Sequence, residues 1–482
     1  EVNRMSEVRF ILSHSPNRDL HVGSLRTALY NYLFARKNDG KMILRIEDTD
    51  RERLVEDAIE SMISTFHRVN MEFDEGPVQG GDYGPYIQSE RKDMYEKYAR
   101  QLVESGHAYY CFCTKEDLDE MREKQKEAGL APKYDKRCLR LSEEEVQKRL
   151  EAGDEYVIRL DVPKGRTITF EDQIHGHTSI ETDNLDDQVL LKSDGFPTYH
   201  LAVVVDDHHM GITHIMRADE WIPSTPKHVL LYEAFGWEPP KFGHIPLLIN
   251  KEGKKLSKRD GDVSVEDFLD KGYLPEALIN YLALLGWNPG TEEEFFTLEE
   301  LENRFSIDRV NDSAGVFDVE KLNWMNGKYI RSKDIEDLGE MLRPYLEEAD
   351  YQIPEDKDIY HWRVEAIHQD LNYLAEVAEK IDIFYKDNIE VTDEDKLEML
   401  ELESSKNLFK NFIDKISEVE KITPDNFMDL LKPAGKEAGA KGKLLYMPMR
   451  LAVSGEKHGP DLKLLICGLG KEEVTKRLEQ WS

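Results

Sequence analysis

The chain has 482 residues, with 64 basic against 97 acidic side chains and a net charge of −33. Charged residues make up 33% and hydrophobic ones 40%, which excludes a disordered chain and, at this length, a single core; three or more domains are expected. The acidic balance excludes indiscriminate nucleic-acid binding, which needs clustered Lys and Arg, and apolar stretches such as Tyr281–Leu285 are too short to span a membrane.

In chain order, Glu1–Ser6 carries no apolar core, so no signal peptide and a cytoplasmic location are expected. Val8–Leu12 reads as a strand. After His21-Val-Gly-Ser24 a helix begins, with Leu25, Leu29, Tyr32 and Leu33 at helical spacing, and Gly40 ends it. Lys41–Ile46 reads as the next strand, completing the strand–helix–strand opening of a parallel nucleotide-binding sheet. Residues 76–187 differ in character and read as an insert, with charged helices at Lys115–Lys126 and Ser142–Glu151 and a strand-like piece at Tyr156–Val162. Val203–Val205 and Ile212–Met216 read as buried strands of the returning sheet. From Lys333 the chain is helical and charged. Lys432, Lys436, Lys441, Lys443 and Arg450 offer a local basic face there, with a solvated charge run as the alternative. Cys467, in Leu464–Gly468, reads as a small buried side chain.

Two segments carry chemistry. His21-Val-Gly-Ser24 sits at a strand-to-helix turn, where backbone N–H groups and a helix N-terminus favour phosphate oxygens. Lys254-Lys-Leu-Ser-Lys-Arg259 lies in a loop flanked by Gly253 and Gly261, and its lysines can neutralise charge on a departing pyrophosphate. Alone, each reads more readily as an ordinary turn or a solvated loop. Cys111, Cys113 and Cys138 cluster in a chain without secretory features, which favours a metal over disulfides. Asp206 and Asp207 beside His208 and His209 are a weaker metal candidate, for which a helix start or turn is the better reading.

Together the two segments resemble the HIGH and KMSKS signatures of class I aminoacyl-tRNA synthetases. Arg45-Ile-Glu-Asp-Thr-Asp50, Ser193–Leu201, Arg217-Ala-Asp-Glu-Trp221 and Lys321–Asn326 are similar to glutamyl-tRNA synthetases in particular, from about Val8 to Arg331 and again at Leu445–Arg450. The resemblance implies an α/β fold: a Rossmann-type catalytic domain in two halves (1–75 and 188–240) around an α+β acceptor-stem-binding insert (76–187). A stem-contact region with the KMSKS-like loop (241–328) and an all-helical anticodon-binding region (329–482) would follow. It implies ATP with Mg²⁺, L-glutamate and tRNA(Glu) as partners, and a monomer is expected. His21, Gly23 and Ser24, with Glu220, would hold ATP. Lys255 and Lys258 would stabilise the α-phosphate. Arg9, Ser15, Glu47, Tyr199 and Arg217 would hold glutamate, and Asp50 and Trp221 would lie near the tRNA 3′ end. Rival readings are a truncated paralogue that modifies a tRNA base, opposed by the long helical tail, and a non-catalytic scaffold.

The cysteines, with Tyr134 or, as second choice, His107 for the fourth ligand, resemble a structural zinc module of some family members; Arg140 stands where a histidine ligand would be expected. Two departures touch the amino-acid pocket. Arg9 lies two residues farther from His21 than the family arginine, so either the intervening residues form a wider turn or another residue such as Arg18 serves. Val203 replaces a pocket asparagine.

Overall fold

The computed structural model describes residues 8–14, 19–49, 58–386 and 388–482. The chain divides into two compact units, Glu1–Phe268 with Leu278–Asp318, and Leu269–Ala277 with Val319–Ser482.

In the first unit the strands are β1 (Arg9–His14), β2 (Lys41–Ile46), β3 (Ala108–Cys111), β4 (Val157–Leu160), β5 (Thr167–Asp172), β6 (Gly176–Glu181), β7 (Val189–Leu191), β8 (His214–Ala218), β9 (Lys241–Ile245), β10 (Leu248–Ile249) and β11 (Gly315–Val316). Six of them form one sheet in the order β2-β1-β8-β9-β5-β6, parallel except for the β5/β6 hairpin. The chain leaves β1 for β2 on one side and later returns as β8 on the other. A crevice therefore opens at the carboxyl ends of β1 and β8, where such sheets bind ligands.

The helix Val22–Lys37 links β1 to β2 and buries Leu25, Leu29, Leu33 and even Asn31, whose amide donates to the Met216 carbonyl on β8. A helix apolar on most faces belongs inside the protein. It begins at Val22 rather than after Ser24, because His21 is its N-cap and accepts the Gly23 N–H at 2.9 Å.

Val203–Val205 is not a strand but the middle of the helix Tyr199–His209. Leu201 through Asp207 are all buried, so no polar face marks the 3.6-residue period and three consecutive valines mimic a strand. Packing overrides their β preference. The β5/β6 hairpin, expected inside the insert, extends the large sheet beyond β9, and β7 pairs with β4 in a separate β3-β4-β7 sheet. The insert's helices span Lys115–Glu127 and Glu143–Ala152, each closed by a capping box, from Thr114 and Ser142.

The second unit is helical throughout from Val319. Leu338, Leu342 and Leu346, spaced four apart on the helix Ile335–Glu348, share a core with Phe409, Phe412 and Ile416. Cys467 is buried in this core. Lys432, Lys436, Lys441 and Lys443 are exposed, whereas Arg450 is half-buried and donates to the Pro460 carbonyl. Among the described residues no helix is long and apolar enough to cross a membrane.

Candidate active site

A cavity of about 580 Å³ lies at the carboxyl ends of β1 and β8. His21, Gly23, Ser24, Glu47, Tyr199, Arg217, Glu220, Trp221 and Lys255 all line it. Ser15 and Asp50 lie outside the described residues, as does Arg18. Lys258 opens the short turn Lys258–Asp260, next to the cavity-lining Ser257.

At one end the first turn of the helix Val22–Lys37 presents its backbone. Because His21 Nδ1 accepts the Gly23 N–H, the neutral ring carries its proton on Nε2, a donor suited to a phosphate oxygen. This turn is tied to the chain that follows the lysine loop: Val22 N–H donates to the Val263 carbonyl, Val265 N–H donates to that of Leu20, and His21 bridges Ser264. The lysine loop itself hairpins back, with Lys255 paired to Ile249, and Lys255 Nζ is 2.6 Å from Glu220 Oε2.

At the other end sits the polar floor. Arg45, fully buried on β2, pairs with Asp207 at 2.6 Å and Glu47 at 3.0 Å. Asp206 accepts from Arg91 at 2.7 Å, Gln88 at 2.9 Å and Tyr95 at 2.7 Å. Among the described residues two arginines thus face three carboxylates, Glu47, Asp206 and Asp207, so carboxylates outnumber guanidinium groups on this side of the cavity. Burial pushes Asp207 up to about 6 even against Arg45. This network also explains the Asp206–His209 cluster. Its carboxylates are committed to arginines, His208 stacks on Trp237 at 3.8 Å and His209 meets the Tyr98 hydroxyl, so it is not a metal centre.

Tyr199 opens its helix and packs its ring, tilted by 35°, against that of Trp221 with centroids 4.4 Å apart. Its hydroxyl, raised to about 12 by burial, accepts from Arg217 at 3.3 Å. Val203, one turn on, lines the cavity beneath it.

Arg9 does not reach this cavity. It is the first residue of β1, whereas the cavity opens at the strand's other end, and its guanidinium is locked on Glu75 by two hydrogen bonds of 2.8 and 2.9 Å. The β1/β2 register runs unbroken from Arg9↔Lys41 to His14↔Ile46, so no bulge within the strand shifts it. Ile11 and Leu12 of β1 line the cavity instead.

Away from the cavity, Cys111, Cys113 and Cys138 bring their sulfurs within 4.8 Å of one another, the only such group of metal-capable residues among those described. The Tyr134 hydroxyl lies 3.3 Å from the Cys111 sulfur and 3.5 Å from that of Cys113. His107 instead meets the Ser105 hydroxyl. Four ligands in a tetrahedron around zinc stand roughly 3.7 Å apart, so this donor set fits the ion. The Arg159 guanidinium, 4.2 Å from the Tyr134 ring centroid, would offset the negative charge of three thiolates.

Residues 7–324 match the family described as tRNA synthetases class I (E and Q), catalytic domain, and residues 337–481 match the anticodon binding domain family. The glutamate–tRNA ligase of Alkaliphilus metalliredigens is 50% identical over 98% of this chain and 99% of its own length. The chain belongs to the glutamate–tRNA ligase family of class I aminoacyl-tRNA synthetases. The ligase of Clostridioides difficile is likewise 50% identical, over 98% of both chains. A crystal structure of a glutamate–tRNA ligase from Elizabethkingia meningosepticum, in complex with its amino acid, superposes with a TM-score of 0.90 at 35% identity, covering 98% of this chain and 99% of that one. The Rossmann-like catalytic domain and the helical anticodon domain of a class I synthetase are thus both present.

Several residues that shape the site had no role in the sequence reading: Arg45, Asp172, Thr225, His228 and His244. The Arg45-Ile-Glu motif flagged the first of these, but the others come from elements whose proximity no spacing discloses.

Proposed function

We propose that the chain activates L-glutamate with ATP and transfers the glutamyl group to the 3′ end of tRNA(Glu). The observation that carries this reading is one cavity lined by a phosphate-type helix N-terminus, a lysine loop and the buried cation Arg217. In the first step a glutamate α-carboxylate oxygen attacks the α-phosphorus of ATP and pyrophosphate departs, giving glutamyl-adenylate. In the second a ribose hydroxyl of the tRNA terminus attacks the acyl carbon and AMP departs. Neither step needs a covalent enzyme intermediate, so positioning and charge stabilisation supply the catalysis.

His21, Gly23 and Ser24 would hold the Mg²⁺-bound ATP phosphates, with Glu220 nearby. Lys255 and Lys258 would offset charge on the α-phosphate and the departing pyrophosphate. Lys255 rests on Glu220, a partner it would exchange for phosphate. Glu47 would take the substrate ammonium, Arg217 a substrate carboxylate, and Tyr199 and Ser15 the remaining wall. Asp50 and Trp221 would meet the terminal adenosine. Residues 76–187 would bind the acceptor stem, 241–328 would contact the stem and 329–482 would read the anticodon. Trp324, 41% exposed, would contribute from the end of the stem-contact region, and Tyr446, also at 41%, lies among the exposed lysines of the anticodon region. Cys111, Cys113, Tyr134 and Cys138 would hold one structural zinc, bracing the insert.

With tRNA present, labelled pyrophosphate should exchange into ATP only when glutamate is added. Lys258→Ala should lower that rate by about 10²-fold, the scale of one lost transition-state charge contact. An unchanged rate would remove Lys258 from the chemistry, and exchange indifferent to glutamate would overturn the reading.

A further inference from the structure

Three buried arginines of the first unit are neutralised by carboxylates: Arg9 by Glu75, Arg45 by Asp207 and Arg91 by Asp206. Arg217 is not. Its Nε donates to His244 Nε2 at 3.2 Å, Nη1 to the Tyr199 hydroxyl and to His228 Nδ1 at 3.3 Å each, and Nη2 to the Thr225 hydroxyl at 2.8 Å. Among the described residues every acceptor is uncharged so long as both histidines are neutral. The guanidinium is thus oriented at several points while its charge is left for a ligand.

The arrangement works only with one tautomer of His244. To accept from Arg217, His244 Nε2 must carry no proton, so the proton must sit on Nδ1. There Asp172 Oδ2 receives it at 2.5 Å, with both side chains buried. Asp172 is itself immobile. It ends β5, and its Oδ1 accepts the backbone N–H groups of Ile174, His175 and His244 at 3.0, 2.9 and 3.2 Å. A doubly protonated His244 would point Nε2–H at the Arg217 Nε–H. On the far side His228 Nε2 meets His200 Nδ1 at 3.0 Å, completing a neutral relay, and burial and then neighbouring cations push both of those rings down.

We infer that Asp172 and His244 are positioning residues: through the tautomer of His244 they aim Arg217, still charged, at a carboxylate of the amino-acid substrate. This rests on the proposed role of Arg217 in binding that carboxylate.

Asp172→Asn tests it. The substituted side chain keeps its amide oxygen on the three backbone N–H groups and turns its amide N–H toward His244 Nδ1. The ring then carries its proton on Nε2, facing the Arg217 donor. In glutamate-dependent pyrophosphate exchange with tRNA, KM for glutamate should rise about ten- to a hundredfold, while KM for ATP and the melting temperature barely move. His244→Gln places an amide oxygen where Nε2 stood, so adding it to Asp172→Asn should return the glutamate KM toward that of the parent. If Asp172→Asn does not fold, His244→Gln against His244→Leu makes the same comparison, and only Leu should raise the glutamate KM. An unchanged glutamate KM in Asp172→Asn, an equal rise in both Michaelis constants, or no rescue by Gln would each overturn the inference while leaving Arg217 in place. Arg217→Ala with an unchanged glutamate KM would instead overturn the underlying reading of the pocket.

Discussion

Replacing Arg9 by alanine separates a structural arginine from a substrate-binding one. Its guanidinium and the Glu75 carboxylate are 5% and 6% exposed, its Nε donates to the Met210 carbonyl, and it lies 4.4 Å from the Tyr83 ring centroid. Removing one partner of a buried pair costs about 3–5 kcal/mol. Tyr86 still donates to Glu75 at 2.6 Å and Lys41 stands 3.5 Å away, so the lower end applies. At roughly 2 °C per kcal/mol for a unit of this size, the melting temperature should fall by about 6 °C. Burial pushes the Glu75 carboxyl up, but hydrogen bonds from Arg9 and Tyr86 outweigh it and hold the group below the ordinary carboxylate range. A group that titrates lower folded than unfolded stabilises the fold at neutral pH and loses that contribution as pH falls through its folded value. The gap between parent and Arg9→Ala should therefore close in acid. Calorimetry across pH, with steady-state kinetics in glutamate, makes the measurement, and the glutamate KM should stay within about twofold because Arg9 is remote from the cavity. A tenfold rise in that KM with an unmoved transition would refute the assignment and return Arg9 to the pocket.

Two further outcomes follow from packing and ligand chemistry. Protein purified without chelator should contain about one zinc per chain, and Cys113→Ser should lower that content and expose the insert to proteolysis; metal-free protein with full charging activity would sink the zinc site. In the second unit Gly272 has φ +84°, and a Cβ there would lie 2.5 Å from Leu374 Cβ and 2.8 Å from the Tyr345 hydroxyl. Gly272→Ala should cost roughly 2–4 kcal/mol from strain and overpacking, lowering that unit's thermal transition by several degrees, and a shift below one degree would show that the turn relaxes freely.

Much of the catalytic unit was readable because its signals are local. A helix N-cap, a lysine loop and the Arg45-Ile-Glu strand end each declare themselves within a few residues, and the cavity gathers them. What escaped was set by distant partners. Val203–Val205 offered three β-branched residues and no polar face, and only burial on every side makes that run a helix. The β5/β6 hairpin looked like part of the insert because it follows it in sequence. Its place at the edge of the large sheet depends on the pairing of Asp172 with Phe242, which no local pattern encodes. Arg9 was misplaced for a related reason. Its distance from His21 in sequence says nothing of its height along β1, and height puts Arg9 at the end away from the cavity.

Three buried arginines of the large sheet show where sequence reasoning stops. Arg9, Arg45 and Arg217 all lie on its strands and are nearly inaccessible to water. By burial alone each is as expensive as the next, since an ionised group out of water must be compensated. Arg9 and Arg45 find carboxylates within the protein and have no charge to spare. Arg217 finds a phenol, a hydroxyl and two imidazoles, acceptors that meet its hydrogen-bonding demand without meeting its charge. Neutral acceptors of that kind tie a site's affinity to an anionic ligand, because only the ligand completes the compensation. The difference between a brace and a binding residue therefore lies in the partners. Here the partners are Asp172, Tyr199, Thr225, His228 and His244, drawn from β5, β9 and the helices Tyr199–His209 and Thr225–Phe235.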